Sequence, residues 1–361
     1  MSATSGKTLL IMAGGTGGHV YPALATADLL RAQGVRIEWL GTERGIEARV
    51  VPAAKIPLHC IQVQGLRGKG VLRLLTAPLN LLRATWQARK ILKQVQPQAV
   101  LGMGGFASGP GGLAAWSLGI PVLIHEQNAY PGMTNKTLAR FAQRVYQAFP
   151  SAFAELPLAQ TIGNPVRGPI LELPAPEQRF AERSGPLRVL VVGGSLGAQA
   201  INQCVPQALA LLPEATRPQV WHQTGIAHHA PTEQRYAELN LTARVVPFIE
   251  EMDQALAWAD LVVCRSGALT VSELAIAGVA SILVPFPHAV DDHQTANARF
   301  LQQAGAAELV PQSDLNAESL AALFTKFNDR ALLLDMAQKA RSQGQPQASQ
   351  ALADACIEVM Q

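Results

Sequence analysis

The chain has 361 residues, 48% of them apolar and 5% aromatic, with four cysteines and a formal net charge of +3. That length predicts about two domains with ample core. No run approaches the roughly 18 uninterrupted apolar residues of a spanning helix, and the short N-terminus enters a glycine turn, unlike a signal sequence. Cys60, Cys204, Cys264 and Cys356 lack metal or redox spacing and read as reduced thiols of a cytosolic protein. Few aromatics argue against a stacking surface for single-stranded nucleic acid. The charge is unevenly divided. Residues 1–165 carry 16 basic and 6 acidic side chains, a net +10, and residues 166–361 carry 13 and 20, a net −7. No acid lies between Ala48 and His125, whereas Arg49, Lys55, Arg67, Lys69, Arg73, Arg83, Arg89, Lys90 and Lys93 all do. The first half is therefore predicted to meet something anionic, with a solvated basic face as the plain alternative.

In chain order, a buried strand is predicted at 9–13. It breaks into GGTGGH (14–19) and a helix at 21–33 that Gly34 stops. Strands follow at 36–40 and 58–63, a helix at 79–94 and a strand at 99–103. A second glycine loop, GMGGFASG (102–109), leads to a helix at 112–118, a strand at 122–126, a helix at 134–141 and a strand at 145–148. Such alternation implies a parallel sheet covered on both faces. Asn164-Pro165-Val166-Arg167 interrupts it, and 169–186 reads as a connector.

The pattern then restarts. An apolar run at 187–192 breaks into Gly193-Gly194-Ser195, the counterpart of Gly14-Gly15-Thr16 half a chain earlier. Further elements are predicted at 201–212, 220–223, 245–248, 256–258, 261–264, 270–277, 281–284 and 295–304, with helices at 317–328, 331–341 and 348–360. The expected fold is α/β, two Rossmann-like domains with parallel sheets facing a deep cleft. The expected divisions are residues 1–163, residues 164–341 and a C-terminal helix, 342–361, that packs back on the first domain.

A strand running through glycines into a helix offers backbone N–H groups and a helix dipole to phosphate. The dinucleotide fingerprint does not fit either loop. Val20 stands where the third glycine belongs in one, and Gly193, Ser195 and Ala198 fill the pattern in the other. Glu38 is an isolated match. His19, at the first helical turn, is a candidate general base or a turn histidine bonded to backbone. His125, Glu126, Gln127 and Asn128 cluster where a strand ends, and Asn128 can both donate to and accept from sugar hydroxyls. Glu273, in CRSGALTVSE (264–273), can accept two ribose hydroxyls or simply complement a helix dipole. Asp291-Asp292-His293-Gln294-Thr295 opens a helix or is an N-cap cluster. The chain has no DxD motif, so no metal is expected at a diphosphate. Helix N-termini, Ser195 and Arg167 would supply the positive field.

Taken together, GGTGGH, GMGGFASGPGG, HEQN, GNPVR, GGSLGA, CRSGALTVSE and HQTANA, in that order from about Leu9 to Ala306, resemble the MurG family of N-acetylglucosaminyltransferases. The resemblance implies a GT-B fold and inverting transfer of N-acetylglucosamine (GlcNAc) from UDP-GlcNAc to the C4 hydroxyl of the N-acetylmuramoyl (MurNAc) unit of lipid I, giving lipid II for peptidoglycan. UDP-GlcNAc is then a substrate, and no cofactor is implied. It places Thr16, Gly17 and Gly18 at the donor and diphosphate, Asn128 on the GlcNAc, and Arg167 and Ser195 at the diphosphate. Ile249 meets uracil through its backbone. Ala268, Leu269, Thr270, Val271, Ser272 and Glu273 hold diphosphate and ribose, and Gln294, or else His293, contacts the sugar. His19 is the preferred base, with Glu126 and His125 as alternatives.

The same resemblance implies an enzyme peripheral to the cytoplasmic face of the inner membrane, with undecaprenyl-diphosphate-linked lipid I, an anionic surface, and cell-wall and division proteins as partners. Arg67, Lys69, Arg73, Leu75, Leu79, Arg83, Trp86 and Arg89 fit an interfacial surface. The rivals are another lipid-directed GT-B transferase, a UDP-GlcNAc epimerase, or a non-catalytic nucleotide-sugar sensor.

Overall fold

The computed structural model describes residues 6–63, 71–181, 183–194 and 196–361, with backbone alone at 71–76 and at 290. The chain divides into two units, one of Met1–Arg167 with Pro346–Gln361 and one of Gly168–Gln345. Both divisions fall a few residues beyond those placed from sequence, after 163 and 341.

In the first unit, runs rich in Leu, Ile and Val pair in parallel because both their faces are covered. The order along the chain is β1 (Thr8–Met12), α1 (Gly17–Ala32), β2 (Arg36–Gly41), α2 (Glu47–Ala53), β3 (Leu58–Cys60), α3 (Val71–Val95), β4 (Ala99–Gly102), α4 (Ser108–Ser117), β5 (Val122–Glu126), α5 (Met133–Leu138), β6 (Arg144–Gln147) and β7 (Ala159–Thr161). Among the described residues these strands form one sheet in the order β3-β2-β1-β4-β5-β6-β7. The strand order reverses between β1 and β4, where Met12 is in register with Gly102. Helices α1 and α4 start about a turn before the predicted helices, because glycines in a first turn read as loop.

The second unit holds α6 (Gly168–Leu171), α7 (Pro176–Ala181), β8 (Arg188–Val192), α8 (Gln199–Leu211), β9 (Gln219–Gln223), α9 (His229–Glu238), β10 (Arg244–Val246), α10 (Met252–Trp258), β11 (Leu261–Cys264), α11 (Ala268–Ala277), β12 (Ala280–Leu283), α12 (His293–Gln303), β13 (Ala307–Leu309), α13 (Ala317–Lys326) and α14 (Arg330–Ser342). Its sheet runs β10-β9-β8-β11-β12-β13, again parallel, with the reversal between β8 and β11. The expected connector contains two short helices. Proline at the first position of α7 begins a helix without losing a needed N–H.

The last helix, α15 (Ala348–Val359), belongs to the first unit. Leu352, Ala353 and Cys356 are buried with Leu9, Ile11, Ala23 and Ala27 on one sheet face. On the other face Leu10, Met12 and Ile124 pack with Ala84, Ala88 and Leu92 of α3. Each large side chain so buried stabilises the unit by about 1.5–3 kcal/mol.

Candidate functional site

Open α/β sheets bind ligands where the strand order reverses. In the first unit both glycine loops leave the sheet at that point and touch. A Cβ on Gly105 would collide with the Gly14 backbone, and one on Gly104 would come within 3.0 Å of the His19 ring. The Ser108 hydroxyl lies 2.7 Å from the Met12 carbonyl oxygen and 2.8 Å from that of Gly104, clamping one loop to the other. Trp39 Nε1 donates to the Ala13 carbonyl at 2.8 Å. His19 Nδ1 lies 3.2 Å from the Gly14 carbonyl oxygen and 3.5 Å from Thr16 Oγ1. The half-buried His19 ring stands in the first turn of α1. Thr16 caps that helix in extended backbone without a side-chain cap bond, so the N–H groups of Gly17 and Gly18 have no intrahelical partner.

Sequence reasoning missed Glu47. Its carboxylate is fully buried beneath the first loop. Oε2 accepts from Gly15 N at 2.9 Å, and Oε1 accepts from Thr42 N at 3.1 Å and Thr42 Oγ1 at 2.7 Å. A Cβ on Gly14 or Gly45 would occupy the space of this carboxylate.

The two alternative bases have other work. His125 is fully buried, and burial lowers its pKa to about 4. Its Nε2 donates to the Gly163 carbonyl at 2.8 Å, and its Nδ1 accepts from Gln127 Nε2 at 3.1 Å. Both ring nitrogens are engaged, so His125 is a framework residue and the expectation of a base there is corrected. Glu126, 2% exposed, accepts four hydrogen bonds. Asn128 N and Nδ2 reach Oε1 at 2.9 and 3.2 Å, and Gly132 N and Asn135 Nδ2 reach Oε2 at 3.1 and 3.0 Å. The carboxylate shapes the turn that carries the half-buried Asn128 and has no lone pair left for an incoming hydroxyl. Arg167 is exposed at the end of the unit.

In the second unit, Val192 of β8 is in register with Cys264 of β11, which brings the third glycine loop beside Arg265-Ser266-Gly267. Ser195 lies outside the described residues. The buried Gln223 amide grips Gly194, accepting its N–H and donating to its carbonyl, both at 3.0 Å. Arg265 is spent on the framework, donating to the Val284 and Pro285 carbonyls and to Gln312 Oε1. Helix α11 starts at Ala268 after an extended Gly267, so the first-turn N–H groups of Ala268, Leu269 and Thr270 have no intrahelical partners. Val271 is fully buried and its N–H donates to the Gly267 carbonyl at 2.9 Å, so it serves the packing of α11. Ser272 Oγ donates to the Ala268 carbonyl at 3.0 Å. Glu273, in the second turn of α11, is 7% exposed, and Ile249 is 6% exposed in the loop after β10.

Asp291 and Asp292 adopt left-handed φ of 55° and 50° ahead of α12. Strain of about 1–2 kcal/mol for each such residue is concentrated at functional sites. Gln294 Oε1 accepts from Phe286 N at 2.9 Å and braces the loop after β12. His293 is half-buried beside it.

On α3, Ala84, Ala88 and Leu92 face the core, while Leu79, Leu82 and Trp86 are 68%, 67% and 66% exposed beside an exposed Arg83. Arg67 and Lys69 lie outside the described residues, as do the side chains of Arg73 and Leu75. Arg89 donates to the Ser117 carbonyl and hydroxyl. It ties α3 to α4. Among the described residues, no helix is long and apolar enough to cross a membrane.

Residues 9–147 match the glycosyltransferase family 28 N-terminal domain and residues 188–352 the glycosyltransferase family 28 C-terminal domain. A protein of Chromohalobacter salexigens is 55% identical over 99% of this chain and 98% of its own length. One of Marinobacter nauticus is 52% identical over 99% of each. Both are named UDP-N-acetylglucosamine–N-acetylmuramyl-(pentapeptide) pyrophosphoryl-undecaprenol N-acetylglucosamine transferase. The crystal structure of Acinetobacter baumannii MurG superposes with a TM-score of 0.87 at 47% identity, covering 98% of this chain and 99% of that one. A UDP-GlcNAc 2-epimerase from Neisseria meningitidis shares the fold at 13% identity and a TM-score of 0.66, covering 98% of this chain and 100% of that one.

Proposed function

Because this chain belongs to glycosyltransferase family 28, and within it to the MurG N-acetylglucosaminyltransferases with their GT-B fold, we infer that it transfers GlcNAc from UDP-GlcNAc to lipid I, giving lipid II. The observation that carries this is identity above half over essentially the whole length of both chains. The epimerase shares only the fold.

In the chemical step, the C4 hydroxyl oxygen of MurNAc bonds to the anomeric carbon as the bond to the diphosphate oxygen breaks. UDP leaves with the electron pair, and one base takes the hydroxyl proton. We assign that proton to His19 Nε2. The support is local. Nδ1 faces a carbonyl, which can only accept, so Nδ1 carries the ring proton and Nε2 has the lone pair. The first-turn N–H groups of α11 and the Gln223-braced loop would hold the donor diphosphate, Glu273 the ribose, and Asn128 with Gln294 the sugar. Thr16, Gly17, Gly18, Arg167, Ser195 and Ile249 keep the roles the family resemblance implies. No metal is assigned to the diphosphate, since the chain has no DxD motif. The exposed face of α3 is proposed to rest on the anionic cytoplasmic leaflet that carries lipid I.

The test is transfer of labelled GlcNAc to a soluble lipid I analogue, with and without EDTA. A β-linked disaccharide in both supports the reading. Epimerised or hydrolysed sugar alone would refute it, and loss on chelation restored by magnesium would refute the metal-free diphosphate site.

A further inference from the structure

The Gly14–Gly15 peptide is hydrogen-bonded on both sides. Its N–H, on Gly15, donates to Glu47 Oε2 at 2.9 Å, and its carbonyl oxygen, on Gly14, lies 3.2 Å from His19 Nδ1. The bond is trans, so N–H and C=O point in opposite directions. One amide therefore stands between a buried carboxylate and the imidazole. We propose that Glu47 is a positioning residue for His19, acting through this peptide. The negative charge draws on the N–H, polarises the amide, and makes the Gly14 carbonyl a stronger acceptor for Nδ1–H. That fixes the tautomer with its lone pair on Nε2. The inference rests on the reading of His19 as base. When Nε2 takes the proton from the acceptor hydroxyl, the ring gains a positive charge. The Nδ1 proton stays on the ring, and no proton reaches Glu47. The arrangement follows the logic of a carboxylate that orients a catalytic histidine, with an amide in between.

Two observations favour a directed role over simple bracing. A fully buried carboxylate is costly to desolvate, and its three donors here are all neutral. The second unit also supplies an internal control. The corresponding N–H, on Gly194, goes to the uncharged Gln223 amide, and Ala198 occupies the place equivalent to His19. The carboxylate lies under the loop that carries the histidine, and the neutral amide lies under the loop that does not.

The test uses the full chain with ¹⁵N-labelled histidine. Long-range ¹H–¹⁵N correlation should show the wild-type His19 ring protonated at Nδ1. Glu47→Gln removes the charge but sets an NH₂ against the N–H of Gly15 or of Thr42, so its Tm is read alongside kcat, and Glu47→Asp keeps the charge and withdraws it by one methylene. Both should lower kcat by about 10–100-fold, the usual cost of losing a group that orients a functional histidine. The KM for UDP-GlcNAc should move by less than about threefold, and the Nε2–H form should appear in Glu47→Asp. A wild-type ring protonated at Nε2, or folded variants with kcat within about twofold of wild type, would overturn the proposal. If Glu47→Gln does not fold, Glu47→Asp, which keeps a carboxylate acceptor, carries the test. Turnover that survives His19→Ala would instead remove His19 as base, while the tautomer shift would still report the link to Glu47.

Discussion

Gln223 and Gly194 form a closed ring of two hydrogen bonds, the amide accepting the glycine N–H at Oε1 and donating to its carbonyl from Nε2, both at 3.0 Å. The same Nε2 donates to the Pro247 carbonyl at 3.0 Å, joining the loops that follow β8 and β10. Only a side chain with one acceptor and one NH₂ satisfies all three groups. Gln223→Glu would set a carboxylate oxygen against two carbonyls. Unsatisfied buried polar groups cost about 1–3 kcal/mol each, so UDP affinity should fall by at least tenfold in calorimetry, with a lower Tm. Unchanged UDP binding would show that this loop does not hold the diphosphate.

Glu273→Ala should weaken UDP-GlcNAc binding by about 1.5–3 kcal/mol, the range for hydrogen bonds to a charged group. The residue sits in the second turn of α11 at 7% exposure, so truncation also leaves a small cavity and should lower Tm, and binding is read on the folded variant. Calorimetry with UDP alone checks it. UDP carries the ribose, so wild-type affinity would take Glu273 off the ribose hydroxyls.

Most strands could be read from sequence because a strand covered on both faces is written as an unbroken apolar run, whereas β7 and β13, three residues each and partly exposed, carry no such run and are not predicted. All five residues of β1 and all four of β11 are buried. The glycine loops could be read because they interrupt such runs. Glu47 and Gln223 could not. Each meets its loop about thirty residues away in sequence, and a single polar residue leaves no periodic trace. The only local signal for Glu47 is an acid opening an apolar helix after Gly-Thr-Glu-Arg-Gly. The engaged state of His125 and Glu126 was hidden for the same reason, since Gly163 and Asn135 are brought to them by the fold.

Acid should destabilise both units. Burial lowers His125 to about 4 and His222 to about 3, against an ordinary value of 6.5. The unfolded chain therefore binds protons that the folded chain refuses. Stability from these neutral histidines is full above pH 6.5 and is lost as pH falls toward 4 and 3, at about 1.4 kcal/mol per pH unit for each. Urea midpoints should drop between pH 7 and pH 5. His125→Gln, which keeps a donor for Gly163 but does not titrate, should flatten that slope, and an equally steep slope would contradict the assignment.

On α3, magnitudes decide which change matters more for membrane binding. A basic side chain near an anionic surface contributes about 1 kcal/mol, whereas burying a Leu or Trp contributes about 1.5–3 kcal/mol. Leu82→Ser with Trp86→Ser should therefore release the protein from anionic vesicles more completely than Arg83→Glu. Only the charge-dependent share should weaken with salt. Transfer to a soluble acceptor analogue should persist in both variants, because these side chains are exposed and outside the glycine loops. Co-sedimentation that ignores both changes would remove α3 from the membrane surface.

The proton acceptor can be settled by the opposite environments of His19 and Glu126. His19→Ala removes Nε2 but leaves the loop backbone, so kcat should fall by about 10²–10⁴-fold, the usual contribution of a general base, with UDP-GlcNAc affinity little changed. Glu126→Gln puts an NH₂ where the carboxylate now accepts from N–H donors of Asn128, or of Gly132 and Asn135. A donor facing donors loosens the turn, so this variant should show a lower Tm and a raised KM for UDP-GlcNAc through misplaced Asn128. Its kcat should fall less than that of His19→Ala. The opposite result, a dead Glu126→Gln with wild-type Tm and UDP-GlcNAc affinity beside an active His19→Ala, would make Glu126 the base and leave His19 as a turn residue bonded to Gly14.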